Sequence, residues 1–335
     1  MSSPGSAPAL SIVIPAPADS AALEATLVSV LENRPDDCEV VVATGFDYAD
    51  PWNVASEVRF VPAPPRSGLA ACANVGIATS AAPAVHVLAA GWLATPGWTD
   101  QPRDLLADDD VMAVVPLVLA PGDGNEIVAA GVRLTKGGRR VETVPSARSV
   151  RAGRLDPARI RAAGPLLEAG FWRADALTAA GPGFTTRCGD WLADADMAAA
   201  LSCLPGRVEV ATESRVIRGA TRRRPRAFTA GLHAERLFWR SLARGSLPVA
   251  LLGHAVEVVR DAVTTAPLGT LPMLAGRIAG LMQFGDAVPR LLRLRALRNT
   301  TATAVAGTLR IDAAHADPAL PRRQAAEGRP LRKSA

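Results

Sequence analysis

The sequence predicts an α/β protein with a Rossmann-like, mostly parallel sheet flanked by helices. Two short apolar runs, Leu10–Pro15 and Cys38–Ala43, are continuous, as is typical of parallel strands buried on both faces. Between them Leu23, Leu27 and Val30 recur at helical spacing after a capping Asp19 or Ser20. Short strands that alternate with helices favour a parallel sheet.

The alternation continues along the chain and then changes to helices. Further strands are predicted at 58–61, 84–88, 111–119, 126–134, 166–173 and 208–211, and further helices at 69–79, 174–180 and 194–204. Residues 139–162 contain many arginines and little periodicity, which predicts a surface excursion or flexible loop. From residue 228 onward the pattern predicts helices only.

Charge is distributed unevenly along the 335 residues. The net charge is +5, but residues 204–335 carry 22 Lys and Arg against 9 Asp and Glu, so this part is +13 and residues 1–203 are −8. A basic C-terminal part suggests an anionic partner such as a phospholipid head group, a nucleotide diphosphate or nucleic acid. Nucleic acid is disfavoured because the arginines are not interleaved with aromatic side chains.

Several other classes of protein are also disfavoured. The four cysteines form no CxxC pair and the four histidines are far apart, so neither a zinc nor a redox site is indicated. The first residues lack a signal-peptide pattern, and no run of 18 apolar residues predicts a membrane span. We therefore expect a cytoplasmic protein, either free in the cytoplasm or peripheral at the inner face of the membrane.

The residues from 246 onward are predicted to form two further regions. Residues 246–298 are expected to form a helical, amphipathic and basic region, whereas 299–335 are rich in Ala, Pro and Arg and are expected to be disordered. Within 271–297, leucines alternate with Arg277, Arg290, Arg293, Arg295 and Arg298. Such a segment either lies flat on an anionic membrane or packs on the domain with its arginines facing solvent.

The order of elements over residues 9–245 resembles the family 2 glycosyltransferases, which have the GT-A fold. Leu10–Pro15 resembles the first strand of that family, and Gly68-Leu-Ala-Ala-Cys-Ala-Asn74-Val-Gly76-Ile77 resembles its glycine-rich loop and helix. Leu192-Ala-Asp194-Ala-Asp196 lies where the family typically has Glu-Asp-x-Asp-Leu. The shared order of these segments, more than any one of them, carries the resemblance.

The resemblance implies transfer of a sugar from a nucleotide-sugar donor to a glycan or lipid-linked acceptor, in polysaccharide or glycolipid synthesis. Asp194 takes the place of the family's catalytic base, which removes the proton of the acceptor hydroxyl. The residues expected to bind substrate are Pro15, Asp47, Asn74, Trp191, Asp196, Arg218, Arg222, Arg223 and Arg224.

The sequence departs from the family where the donor should bind. The metal-binding Asp-x-Asp is Ala89-Ala90-Gly91, the Asp that ends the second strand is Ala43, and the late metal-binding His is Arg218. Alanine and glycine side chains offer a divalent cation no ligand. We therefore expect no metal, and expect Arg218 and Arg222–Arg224 to stabilise the diphosphate if the protein is active.

Other interpretations of the same residues remain open. The basic residues around 218–226 can form a solvated loop, Asp194 can cap a helix, and Asp190 can serve as the base instead. The chain can also be an inactive pseudoglycosyltransferase that acts as a scaffold or binding module. The surroundings of Asp194 separate these hypotheses, because catalysis needs its carboxylate in a cleft opposite Arg218.

Overall fold

A computed structural model describes residues 7–122, 126–145, 155–220, 225–242 and 246–299. Of the predicted site residues, Arg222, Arg223 and Arg224 lie outside the described residues, as does the predicted tail from residue 300 onward. All structural statements below refer to the described residues.

The first half of the chain forms alternating strands and helices. In order they are β1 (Leu10–Ala16), α1 (Ser20–Asn33), β2 (Cys38–Thr44), β3 (Val58–Pro62), α2 (Leu69–Thr79) and β4 (Ala84–Leu88). The strands pair in parallel in the order β3-β2-β1-β4. Asp19 caps α1, since its carboxylate accepts the Ala22 N–H at 3.1 Å.

The second half extends this sheet. The elements are β5 (Leu93–Ala94), α3 (Asp100–Leu106), β6 (Val111–Leu119), β7 (Ile127–Ala129), β8 (Val132–Leu134), β9 (Arg140–Glu142), β10 (Ala169–Arg173), α4 (Ala174–Ala180), α5 (Ala193–Leu201) and β11 (Arg207–Ile217). In the described part of the chain the main sheet has the order β3-β2-β1-β4-β10-β6-β11-β5, with β7 beside β6. Strands β8 and β9 form a separate hairpin.

The strand directions define one functional edge of the sheet. Strand β10 is antiparallel to both β4 and β6, and β11 is parallel to β6, so β6 and β11 point the same way as β1 to β4. The carboxyl ends of these strands therefore meet at one edge, together with the start of β10. Ligands of α/β sheets bind at this edge. The predicted fold class, a mostly parallel α/β sheet flanked by helices, is confirmed.

The last part of the chain is helical. It contains α6 (Ala227–Ser241), α7 (Leu247–Thr264), α8 (Thr270–Met282) and α9 (288–299). Helices α6 and α8 pack so closely that a Cβ at Gly276 would overlap the Phe228 carbonyl, and the glycine allows this approach. No residue of α7 is fully buried, and Leu252 and Val263 are each 70% exposed. Within the described ranges, no helix is long and apolar enough to cross a membrane.

Two expectations about arginine-rich segments were wrong. Arg277 does not face solvent or a membrane, since it lies buried between Glu235 (3.1 Å) and Asp261 (2.5 Å). Arg290 is largely buried in an ion pair with Asp196. A buried guanidinium needs carboxylate partners, and these are distant in the sequence, which is why periodicity could not reveal them. The proposed boundaries at 245/246 and 298/299 remain predictions.

Residues 139–162 were expected to form a surface loop, and this prediction is wrong for the first few of them. Residues Arg140–Glu142 form β9, and the Arg140 side chain is only 7% exposed. Residues 146–154 lie outside the described part of the chain.

Candidate functional site

Hydrogen bonds from three backbone N–H groups fix the turn that follows β4. The Ala89 N–H donates to the Glu168 carbonyl (2.9 Å), the Ala90 N–H to the Pro15 carbonyl (3.1 Å), and the Gly91 N–H to Thr26 Oγ1 (2.8 Å). Gly91 has a φ of +89°, which favours glycine. Predicted site residue Pro15 thus contributes its backbone to this turn.

The residues at this turn do not fit a divalent cation. Ala89, Ala90 and Gly91 supply no carboxylate, and the Ala89 carbonyl already accepts the Trp92 N–H at 2.9 Å. Among the residues that the structure describes, no group of three or more His, Cys, Asp or Glu side chains is arranged to hold a metal.

Arg218 lies beside the same turn. It directly follows β11, and its backbone N–H donates to the Leu119 carbonyl at 2.9 Å. The next residue, Gly219, packs so tightly on Gly91 that a Cβ there would overlap the Gly91 carbonyl. The Arg218 guanidinium carbon is 5.8 Å from the centroid of the Trp92 ring, within cation–π range. The structure therefore brings a cation next to the turn where the resembled family holds its metal.

Two charged side chains of β9 connect Arg218 to Asp194. Arg140 and Glu142 are two residues apart on a strand, so they point to the same side. Glu142 binds Arg218 at 2.6 Å and Arg140 at 3.1 Å. Arg140 binds the Asp194 carboxylate with two hydrogen bonds, of 2.9 and 2.8 Å. These four side chains, Asp194, Arg140, Glu142 and Arg218, form what we call the ion network.

The buried and the partly exposed members of the ion network lie at different ends of it. The Asp194 side chain is 0% exposed, Arg140 7%, Arg218 18% and Glu142 29%. Asp194 is at the start of α5, where a negative charge is favourable, and its carboxylate also accepts the Ala195 N–H. The Asp194 carboxylate is thus covered by Arg140, and the network meets solvent mainly at Glu142.

Neighbouring charges stabilise the ionised forms within the network. Burial opposes the charge on Arg140, but the charge of Asp194 and the hydrogen bonds to it outweigh burial and raise the Arg140 pKa. Burial would likewise raise the pKa of Glu142. The hydrogen bond from Arg218 and the charge of Arg140 exceed that effect, so the Glu142 pKa lies below its usual value.

A cavity adjoins the buried end of the ion network. It has a volume of about 290 Å³ and is lined by the turn before β9, Trp191 and helices α6 to α8. The Arg140 guanidinium carbon is 5.4 Å from the Trp191 ring centroid, so both residues form one wall. His233 lines another wall, and its Nδ1 is buried without a hydrogen-bond partner. The cavity thus joins the ion network to Trp191 and His233.

Three other predicted site residues lie apart from the ion network. The Asn74 amide is hydrogen-bonded on both sides to the Phe184 backbone, at 2.8 and 2.7 Å, so it joins α2 to the loop after α4. Asp196 faces away from Asp194 and binds Arg240 and Arg290. Asp47 is exposed in the loop after β2.

Asp190, the alternative base, has a structural function. Its carboxylate accepts the N–H groups of Leu69 and Ala70, each at 2.9 Å, and thereby caps the N-terminus of α2. A Cβ at Gly68 would overlap this carboxylate, which explains the glycine there. Both oxygens of Asp190 are therefore already engaged.

A larger cavity, of about 830 Å³, lies at the opposite end of the strands. It is lined by Ala9 and Ala84, next to the starts of β1 and β4, and by Arg103 and Arg173. Because α/β sheets bind ligands at the carboxyl ends of their parallel strands, we do not assign the chemistry to this cavity.

Sequence reasoning missed Arg140 and Glu142. Both lie in a three-residue strand within an arginine-rich stretch, and Arg140 is 54 residues from its partner Asp194. The one local signal was the alternation Arg-Val-Glu, which places two opposite charges on one side of a strand.

Neither protein-family models nor curated protein sequences match this chain. Solved structures do. The mannosyltransferase PcManGT from Pyrobaculum calidifontis, solved with GDP-Man and Mn2+, is 16% identical over 92% of this chain and 88% of that chain, with a TM-score of 0.52. S. aureus TarS 1-349 is 13% identical over 90% of this chain and 91% of that chain, with a TM-score of 0.55.

A third structure agrees with these two. GalNAc-T7, solved with UDP, GalNAc and Mn2+, is 15% identical over 72% of this chain and 51% of that chain, with a TM-score of 0.51. The chain has the GT-A fold. At these identities the similarity establishes the fold alone, so the activity must be argued from the site.

Proposed function

We propose that this protein is a glycosyltransferase that moves a sugar from a nucleotide-sugar donor to a glycan or lipid-linked acceptor without a divalent metal. The position of Arg218 carries the proposal. A guanidinium beside the turn at 89–91, at the carboxyl edge of a GT-A sheet, can stabilise the charge that develops on the leaving diphosphate. Arg222, Arg223 and Arg224 begin four positions later in the sequence and would supply further positive charge for the diphosphate.

The acceptor side of the proposed reaction needs a base. We retain Asp194 for this role, with the condition that the Arg140 side chain moves aside, because Arg140 now holds both carboxylate oxygens. Glu142 is the alternative, since it belongs to the same network and is partly exposed. Trp191 and the adjoining cavity would hold the acceptor sugar by stacking.

The proposal is tested by assaying sugar transfer or donor hydrolysis with a panel of sugar nucleotides in the presence of EDTA. Activity should persist in EDTA. Arg218→Gln should lower kcat by about 10²–10³-fold, which is the usual cost of removing a hydrogen-bond donor that stabilises charge in a transition state. Arg215→Gln is the matched control, because Arg215 is exposed near the end of β11, three residues before Arg218. Abolition by EDTA, or equal rates for the two variants, would contradict the proposal.

A non-catalytic scaffold or binding module is the second candidate. One observation favours it: Arg140 covers the predicted base Asp194 with two hydrogen bonds. A protein that no longer binds donor should show no thermal shift with UDP or GDP, since a ligand that binds only the native state raises its stability. A shift that Arg218→Gln removes would count against this candidate.

Peripheral contact with a membrane and a cytoplasmic location remain predictions. Arg277 and Arg290 are used in internal ion pairs, which reduces the basic surface on which the membrane prediction rested. The exposed apolar side chains Leu252, Val256 and Val259 of α7 are the surface that a bilayer would meet.

A further inference from the structure

A second, strongly basic cavity lies beside Asp196, away from the ion network. Its volume is about 490 Å³, and it lies between α2, the loop that follows α4, α6 and α9. Its charged side chains are Arg187, Arg240, Arg290 and Arg293, and we call it the arginine groove. Among the described residues that line it, none is Asp or Glu.

The carboxylates around the arginine groove do not balance its charge. Asp196 lies beneath it and is shared by Arg240 and Arg290, at 2.8 and 2.6 Å. Asp286 pairs with Arg187 at 2.5 Å. Arg293 donates to the carbonyls of Thr178 and Ala179 instead of to a carboxylate. Four guanidinium groups against these two carboxylates leave a local charge of +2.

Arg290 is incompletely satisfied in this position. Its NH2 group binds Asp196, but its Nε is buried and has no hydrogen-bond partner in the described part of the chain. Burial lowers the Arg290 pKa; Asp196 opposes this shift, whereas the charges of Arg240 and Arg293 add to it. A buried donor without an acceptor is costly. An anion in the groove would offset the repulsion among the guanidinium groups.

We propose that the arginine groove binds a phosphate-bearing anion. Guanidinium groups match phosphate oxygens with paired hydrogen bonds, which makes arginine suited to this ligand. Thr185 and Thr186 line the groove and offer hydroxyl donors, and the volume suits a diphosphate or a phospholipid head group. The groove is separate from the ion network, so its ligand does not depend on the proposed transfer reaction.

The test measures the binding of inorganic pyrophosphate by isothermal titration calorimetry. Arg187 and Arg293 are exposed, so the double variant R187Q/R293Q should fold, and it should bind pyrophosphate about tenfold or more weakly, a loss of about 1.4 kcal/mol. The control R159Q/R215Q removes the same charge from exposed positions elsewhere. Where the wild type binds pyrophosphate, equal affinity in both double variants would overturn the proposal.

A third variant separates the groove from the candidate donor site. Arg218→Gln should keep the pyrophosphate binding that R187Q/R293Q loses, because Arg218 does not line the groove. If Arg218→Gln loses binding while R187Q/R293Q keeps it, pyrophosphate occupies the donor site and the groove proposal fails.

Vesicles distinguish the two sources of phosphate. Co-sedimentation with phosphatidic acid but not phosphatidylcholine vesicles, lost in R187Q/R293Q and kept in R159Q/R215Q, identifies a lipid head group. Pyrophosphate binding that depends on Arg187 and Arg293, without vesicle binding, identifies a soluble phosphate. Either result supports the groove, and failure of both overturns it.

Discussion

Asp194 and Asp196 lie two residues apart on α5, yet they face opposite sides of this helix. Two helical positions differ by about 200°, so the two carboxylates point in nearly opposite directions. Both are buried, at 0% and 2% exposure, and both bind arginine. Asp194 leads through Arg140 to the partly exposed Glu142 and Arg218, whereas Asp196 is enclosed by Arg240 and Arg290.

This difference indicates that Asp194 belongs to a candidate catalytic site, whereas Asp196 holds helices together. The Asp194 network ends at solvent, beside the turn at 89–91, with a cavity next to it. The Asp196 cluster joins α5 to α6 and α9, which are otherwise distant in sequence. We therefore expect substitution of Asp194 to change the rate of the reaction and substitution of Asp196 to change the stability of the fold.

The largest expected effect is the loss of stability in Asp196→Ala. Removing this carboxylate leaves Arg240 and Arg290 buried without it, and breaking a buried ion pair in this way costs about 3–5 kcal/mol. The free energy of unfolding from urea titration measures it. Asp175→Ala is the control, since the Asp175 side chain is 66% exposed and should change stability by about 1 kcal/mol or less. A similar loss of unfolding free energy in both variants would show that the buried ion pairs of Asp196 do not stabilise the fold more than an exposed pair does.

The next effect is on catalysis by Asp194→Asn. If Asp194 is the base, transfer should fall by about 10²–10⁴-fold, because the amide cannot accept the acceptor proton. Asp196→Asn should leave the rate per folded molecule near that of the wild type. Circular dichroism at the assay temperature gives the folded fraction for this correction. An active Asp194→Asn would remove the assignment, and a simultaneous loss of rate in Glu142→Gln would move it to Glu142.

The smallest effect is on the pH dependence of stability in Glu142→Gln. The folded-state pKa of Glu142 is lowered, so its ionised form stabilises the fold above the unfolded value of about 4.3, and this contribution disappears as the pH falls through the folded value. The variant should be less stable than the wild type by about 1 kcal/mol or less at neutral pH, because Glu142 is partly exposed. The two should converge once the pH has fallen below this lowered folded value. A difference that persists in acid would contradict the assigned cause.

The sequence was most informative where local patterns determine structure. The apolar runs at 10–15 and 38–43 and the cap at Asp19 were enough to predict β1, α1 and β2. They worked because a strand buried on both faces and a capped amphipathic helix each have a signature within one segment. In contrast, Arg140 and Glu142 carry no such signature, and their partners come from α5 and from the end of β11.

The sequence alone determined the α/β fold and the loss of side-chain ligands at Ala89-Ala90-Gly91, because hydrophobic periodicity and residue identity are local properties. Only the tertiary structure decided which charges meet. It placed Arg218 beside that turn, covered Asp194 with Arg140, and turned Asp196 toward Arg240 and Arg290. The physical reason is that a buried charge must find its partner wherever the fold supplies one, and the distance along the chain does not limit that choice.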